Sequence, residues 1–283
     1  LELFSEETAQ YWDATASAWK EYRKMVTTVD TAGGIVTVTE LDSINNQLIY
    51  SSKYIYYVTL NLSQNIFRIN KSEYYQWNGS NWAMLARTTY TYDGSGYLIQ
   101  TLGELQALQG MFFPFTRSTY TNNNAGNPVL MLTESYSVEG NTWFNDFKSE
   151  YSYKQGDDNY LLAEQQFQFE SEQWVPLEKV SYTRNVNLKP EEIIYECYVD
   201  GQLEKCNKYV YAYRPDAKSV ETSTSYYWYE SENNWVPSGL TTFYYDVTGK
   251  NDFTTIKSWD GLEWRNVSRT SYTYDAQDRV VEE

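Results

Sequence analysis

The chain contains no histidine at all. That one absence removes the Ser-His-Asp triad, the Cys-His pair, the HExxH zinc site and every other mechanism that needs an imidazole. Positive charge is scarce as well: 22 Lys and Arg stand against 38 Asp and Glu, a formal net charge of −16. A sequence-tolerant nucleic-acid binder must replace condensed counterions with a cationic face, so a surplus of this sign argues against nucleic acid as a partner. No run approaches the roughly 18 apolar residues of a membrane span, so no transmembrane segment is expected. The opening LELFSEETAQ lacks the basic start and apolar stretch of a signal peptide. We therefore expect either a chain whose export signal has been removed or a piece of a longer protein.

Aromatic residues are in excess. Ten Trp, 29 Tyr and 11 Phe make up 18% of 283 residues, whereas all hydrophobic residues together reach only 41%. Aromatic and β-branched side chains suit pleated, half-buried surfaces, while helices lean on Leu, Ala, Glu and Lys. The composition predicts an all-β protein.

Internal repetition fixes the organisation. From Trp82, Tyr90 and Tyr92 lie eight and ten residues on; Trp143 leads likewise to Tyr151 and Tyr153, Trp235 to Phe243 and Tyr245, and Trp264 to Tyr272 and Tyr274. Trp174 keeps the first of the two, Tyr182, and weaker copies start at Trp19, Tyr50, Phe112 and Leu203. The anchors at 19, 50, 82, 112, 143, 174, 203, 235 and 264 divide residues 1–283 into a single array of nine units of about 31 residues, with the amino-terminal units degenerate. Five residues past the anchor stands Lys24, Arg87, Arg117, Lys148, Lys179, Lys208 or Arg269, with Ile55 and Leu240 as exceptions.

Each unit reads as a β-hairpin. Asn78-Gly79, Asp200-Gly201 and Asp260-Gly261 precede anchors and tolerate the positive φ of tight turns, and looser turns follow the paired tyrosines at Asp93, Gln155, Asp246 and Asp275. Two strands per unit give about eighteen. Strict alternation along a strand puts Trp82, Met84, Tyr90 and Tyr92 on one aromatic face and Leu85, Arg87, Thr89 and Thr91 on a polar one. On this reading the basic series is a ladder of surface charge, and Trp19, Trp77, Trp82, Trp143, Trp174, Trp235, Trp259 and Trp264 are the repeat core. Aliphatic residues are too few to cover a sheet face alone, so burial of these rings is expected, at roughly 1.5–3 kcal/mol per large side chain. The predicted architecture is an antiparallel β-hairpin repeat array whose aromatic face is covered by a superhelical, shell-like or solenoid-like arrangement.

The strings SWDGLEWRNVSRTSYTYDAQDRV and QWNGSNWAMLARTTYTYDGSGYL resemble the aromatic repeats of large secreted and cell-surface proteins of Bacteroidota. They are similar, more distantly, to the YD repeats of Rhs and teneurin-type shells. The Bacteroidota resemblance implies export, often by type IX secretion, and display at or beyond the outer membrane as an adhesin, stalk or filament. Asp30-Thr31-Ala32 and Asp42-Ser43-Ile44 resemble O-glycosylation acceptor sites of that phylum, at Thr31 and Ser43.

Cys197 and Cys206 flank the Asp200-Gly201 turn. Two hairpin registers are open, one facing Cys197 with Glu204 and one setting the sulfurs opposite, and either leaves a disulfide within reach. Such a bond points to an oxidising, extracytoplasmic compartment. A glycosidase would need two carboxylates roughly 5–10 Å apart with one pKa raised. Asp93, Asp246 and Asp275 recur at equivalent turns, and Glu170, Glu172, Glu230 and Glu232 sit at hairpin tips, so the repetition argues for turn chemistry over catalysis. Oxygen ligands for calcium cluster at Gly156-Asp157-Asp158-Asn159, but the spacing matches neither an EF-hand nor a nonapeptide loop. No catalytic residue, metal or cofactor is expected. Sugars stacking on exposed Trp and Tyr form the stronger ligand alternative, and head-to-tail pairing of sheet edges into an extracellular fibre is another. The expected partners are neighbouring repeats, copies of the chain itself, or surface glycans. The sequence thus reads as a non-enzymatic, extracellular structural or adhesive segment.

Overall fold

A computed structural model describes residues 2–13, 18–44, 47–61, 66–108, 110–216, 219–274 and 280–282, with side chains described at 20, 23–44, 47–59, 67–108, 110–216 and 219–273. The chain is all-β. Strands β1 (Glu2–Asp13), β2 (Ala18–Asp30), β3 (Ile35–Ile44), β4 (Gln47–Asn61), β5 (Ile66–Trp77), β6 (Trp82–Tyr92), β7 (Leu98–Leu108), β8 (Met111–Asn122) and β9 (Pro128–Ser137) are followed by β10 (Thr142–Lys154), β11 (Asp157–Glu170) and β12 (Gln173–Arg184). Then come β13 (Pro190–Val199), β14 (Gln202–Tyr213), β15 (Val220–Tyr229), β16 (Asn234–Tyr245), β17 (Asn251–Trp259) and β18 (Trp264–Ser271). A short pair, β19 (Thr273–Tyr274) and β20 (Val280–Glu282), forms its own two-stranded sheet. Among the described residues the helical content is one 3₁₀ turn, Glu230–Glu232.

The chain divides into two units, residues 1–122 with 131–146, and residues 123–130 with 147–283. Each is an antiparallel meander in which consecutive strands pair. The tips are as the turn residues dictate. Asn78 Oδ1 accepts from the Ser80 and Asn81 amides, Asp260 Oδ1 accepts from those of Leu262 and Glu263, and Gly79 and Gly261 take φ of 94° and 100°.

One feature recurs that the residue pattern does not announce. Three residues past the anchor, the second strand of most hairpins carries a β-bulge. The extra residue is Leu85 in β6, with Tyr75 opposite Met84 and Tyr74 opposite Ala86. It is Phe115 in β8, Leu177 in β12, Cys206 in β14, Ser238 in β16 and Val267 in β18, and Tyr22 at the same place in β2. A bulge sets two residues against one and so reverses the alternation beyond it. Trp82 and Met84 therefore share a face with Arg87, whereas Tyr90 and Tyr92 lie on the opposite face. The expected division into one aromatic and one polar face is thus corrected: both faces carry rings, Trp-rich near the tips on one and Tyr-rich towards the return turns on the other.

The bulge also corrects one anchor. In β4 the extra residue is Ser51, between the pairs Leu41–Tyr50 and Glu40–Ser52. Counting three back, the position equivalent to Trp82 is Leu48, opposite Ser43, and not Tyr50. Five past Leu48 stands Lys53, so the basic series loses the exception at Ile55.

Coverage of the rings also differs from the expectation of a buried core. Among the described residues the buried hydrophobic side chains are Val58 and Val180, joined by the polar Ser52, Glu73, Ser149 and Thr254. Trp77, Trp82, Trp143, Trp174, Trp235, Trp259 and Trp264 are all half-buried. They cover one another edge to face: Trp77 and Trp82 lie 5.2 Å apart between centroids, Trp259 and Trp264 5.2 Å, and Trp228 and Trp235 5.0 Å. The quadrupoles of the rings favour that geometry, which contributes about 0.5–1.5 kcal/mol per pair beyond area burial.

Candidate functional site

The basic series and the anchors meet on the Trp-rich face, where five of the cations reach the aromatic anchor of the following repeat. Lys53 Nζ sits 4.7 Å from the Tyr75 ring centroid and 4.8 Å from that of Trp82. Arg87 lies 4.3 Å over Phe112, and Arg117 4.6 Å over Trp143. Lys148 touches Phe167 at 4.1 Å and Trp174 at 5.2 Å, and Lys208 touches Tyr226 at 4.8 Å and Trp235 at 5.2 Å. Carboxylates on neighbouring positions close the arrangement: Glu104 takes both Arg87 Nε at 2.6 Å and Nη2 at 2.9 Å, and Glu134 pairs with Arg117 at 2.7 Å. Lys179, whose next anchor is the aliphatic Leu203, keeps only its pair with Glu196 at 3.1 Å. At the exception, Leu240, the cation moves across the strand pair to Lys257. A ring under a cation contributes about 0.5–2 kcal/mol, and a part-exposed ion pair about 0–1 kcal/mol.

The ten-residue position has a second job. Tyr92 donates its hydroxyl to the Ile69 carbonyl at 2.8 Å, Tyr153 to Pro128 at 2.9 Å, Tyr213 to Pro190 at 2.7 Å and Tyr245 to Val220 at 2.7 Å. Asn122 and Arg184 do the same from equivalent places, to Leu98 and Leu161. The carbonyls of Ile69, Pro190, Val220, Leu98 and Leu161 belong to strands that are themselves bulged one residue on, at Asn70, Glu191, Glu221, Ile99 and Leu162. A bulge takes a residue out of the ladder, and a half-buried carbonyl needs a donor from elsewhere. Tyr92, Tyr153, Tyr213 and Tyr245 are therefore backbone caps.

Other sequence candidates fall into place around this frame. Asp93, Asn123, Asn185 and Asp246 each accept, through one side-chain oxygen, the amides two and four residues on. Asp275 lies outside the described residues, as does the Trp19 side chain. Glu170 and Glu172 are exposed at one tip, and Glu230 and Glu232 at another. Asp157 accepts from the Asn159 amide at 3.2 Å within its turn. Among the described residues no group of three or more metal-ligating side chains occurs. Thr31 is exposed on the β2–β3 turn, and Ser43 is half-buried inside β3. Cys197 and Cys206 are joined by a disulfide with Cα atoms 5.9 Å apart. The register is the one facing Cys197 with Glu204, and the bond is made because Cys206 is the extra residue of the bulge.

The most enclosed carboxylate is Glu73, only 6% exposed. It accepts from Lys71 Nζ at 2.7 Å and from the Tyr57 and Tyr75 hydroxyls at 2.8 Å each. Burial alone would push its pKa up; the hydrogen bonds from Lys71, Tyr75 and Tyr57 and the Lys71 charge outweigh it, and the carboxyl is held below its ordinary range. Burial and the Glu73 carboxylate push the Tyr75 phenol up. Asp246 and Asp260 are also held low, first by the Thr248 hydroxyl and the Glu263 amide respectively. A general acid needs the opposite displacement. Glu73 had no signal in the repeat pattern; a carboxylate between two tyrosines and a lysine, at alternate positions of paired strands, is the signal that finds it.

A groove of about 650 Å³ opens at the tips of β5–β6 and β7–β8, lined by Tyr75, Asn78, Asn81, Trp82, Met84 and Gln106 among others. Nearby, Leu105, Phe113, Phe115 and Val138 line an apolar one of about 430 Å³.

These features define a β-hairpin repeat array knit by cation–ring and tyrosine–carbonyl joints. No protein-family profile matches the sequence, and no curated protein does. Among solved structures, the chain is similar to a chain of the Photorhabdus luminescens Tc holotoxin pore, at 12% identity over 99% of this chain and 15% of that one, with a TM-score of 0.45. It is similar to a porin-like protein from Bacteroides uniformis, at 12% identity over 85% and 96% of the two chains and a TM-score of 0.37. A protein of unknown function from Bacteroides fragilis matches at 13% identity over 56% and 90%, with a TM-score of 0.24.

Proposed function

We propose that the chain is a non-enzymatic structural or adhesive repeat segment of a bacterial secreted or surface protein. The observation that carries this reading is the inter-repeat joint: cation, ring and carboxylate recur from Lys53 to Lys208, so the distinctive chemistry is spread along the array and serves neighbouring repeats. An active site concentrates unlike groups at one place. In a repeat array each module contacts mainly its neighbours, and stability accumulates along the chain. The Cys197–Cys206 bond supports an oxidising, extracellular setting, and the acidic surplus favours solubility there.

Two measurements test the reading. The protein is isolated from its source under alkylating conditions and both cysteines are expected to be blocked to the reagent; two free thiols would overturn the extracellular placement. The purified chain is then assayed against glycoside, ester and peptide substrates, with no turnover expected. Turnover that disappears in Glu73→Gln would make the chain an enzyme and end the structural assignment.

A further inference from the structure

The β7–β8 hairpin breaks the pattern of paired rings. Five tips set rings in pairs, Trp77 against Trp82, Tyr136 against Trp143, Phe169 against Trp174, Trp228 against Trp235 and Trp259 against Trp264, with centroids 5.0–5.2 Å apart. Here Gln106 stands opposite Phe112. An amide has replaced a ring, and the 650 Å³ groove lies beside it.

The chemistry of its walls is selective. Tyr75, Trp82 and Met84 offer apolar surface; Asn78, Asn81 and Gln106 offer amides; none of the lining residues is charged. The two rings are fixed before any ligand arrives, because Lys53 rests on both and Trp77 meets Trp82 edge to face. Asn78 is fixed too, since its oxygen is taken by the Ser80 and Asn81 amides and its NH₂ is left as the donor. Among the described residues no side-chain hydrogen bond occupies the Asn81 or Gln106 amide. A ligand for such a site is uncharged, has a flat C–H face to stack on indole and phenol, and carries hydroxyls that both donate and accept. The volume lies within the ordinary range for small-ligand sites, about 300–1,000 Å³, and prepaid ordering of the walls favours binding.

We propose that this groove binds a neutral oligosaccharide, with a pyranose face stacked on Trp82 and Tyr75 and its hydroxyls bonded to Asn78, Asn81 and Gln106. The proposal goes beyond the structural reading: it concerns one tip, where an amide stands in the place of a ring, and the neighbouring apolar groove lacks the amide triplet.

The test is titration calorimetry of the whole chain with cellotetraose, maltotetraose, mannotetraose and N-acetylchitotetraose, with tetragalacturonate as the anionic comparison. At least one neutral tetrasaccharide is expected to bind. Gln106→Trp restores the ring that other tips carry and fills the groove; it is expected to weaken that binding at least about tenfold while the melting temperature is unchanged or raised. Asn81→Ala, at an exposed turn position, is expected to weaken it severalfold and decides the matter if Gln106→Trp misfolds. No binding of any neutral member at millimolar concentration would overturn the proposal. So would unchanged affinity in the folded variants, or tetragalacturonate binding as tightly as the best neutral sugar.

Discussion

The hairpin tips and the return turns of the same repeats are held by different means. Tips close through loops of different length and through pairs as unlike as Trp77–Trp82, Tyr198–Leu203 and Gln106–Phe112. The return turns at Asp93, Asn123, Asn185 and Asp246 repeat the same hydrogen bonds atom for atom, with a positive φ at Gly96, Gly126, Leu188 and Gly249. Apolar contact at a tip is non-directional, so many side chains satisfy it. Backbone turns are directional, and only a few residue types meet their dihedral and donor demands. Variation therefore collects at the tips, and that is where ligand chemistry can be added without disturbing the frame.

The largest expected effect is collective and falls on the return-turn half. Burial pushes up the phenols of Tyr92, Tyr153, Tyr182, Tyr211, Tyr213 and Tyr245. The folded chain thus holds these protons more tightly than the unfolded one. Their contribution is complete below the ordinary tyrosine value of about 10 and is lost as pH rises through the higher folded values. Alkaline titration followed by circular dichroism and phenolate absorbance should show unfolding that begins near pH 10; phenols that ionise with the fold intact would contradict it. Glu73 gives the opposite limb. Its lowered pKa supplies stability above the ordinary carboxylate range, lost as pH falls through the folded value, and Glu73→Gln should flatten the acid limb of a stability profile.

At the tips, Trp235→Ala removes the ring that meets Trp228 and carries Lys208. Half-burial tempers the cost to about 2–3 kcal/mol in urea unfolding. At the return turn, Tyr213→Phe deletes the donor to the Pro190 carbonyl and should cost about 1 kcal/mol. Leu188 occupies, at φ 60°, the slot that Gly96, Gly126 and Gly249 fill elsewhere. Leu188→Gly should therefore stabilise, by up to about 1 kcal/mol, against the usual direction of glycine substitutions. A loss on that replacement would show that the turns are less stereotyped than their hydrogen bonds. The smallest effect is Arg117→Gln, about 0.5–1 kcal/mol and weaker in high salt, because its carboxylate and ring partners are part-exposed.

Period, hairpins and turn positions were legible because they rest on local signals: Asn-Gly and Asp-Gly dipeptides, spaced rings and recurring basic residues. The faces were not. The bulged residues are Leu85, Phe115, Leu177 and Val267, apolar types that occur throughout these strands, with Cys206 and Ser238, so nothing in a single strand reports the extra residue. Partner strands do report it, since Glu73 stands opposite Arg87 only if one residue is skipped. Tyr50 misleads as an anchor for a related reason: ring chemistry is a weaker marker of equivalence than distance from the bulge. Gln106 carries no signal by itself; it marks the groove only once the register sets it opposite Phe112.

Chains assembled from near-copies face a hazard that unique sequences avoid, because any strand resembles several others and can zip to the wrong neighbour or slide along the right one. The extra residue works as a notch in the hairpins that carry it. Cysteine at one notch, bonded across to Cys197, turns that hairpin into a latch. Slippage by one or two positions would set bulge against ladder and strip tyrosine from carbonyl in the same movement, so each such module carries its own alignment key.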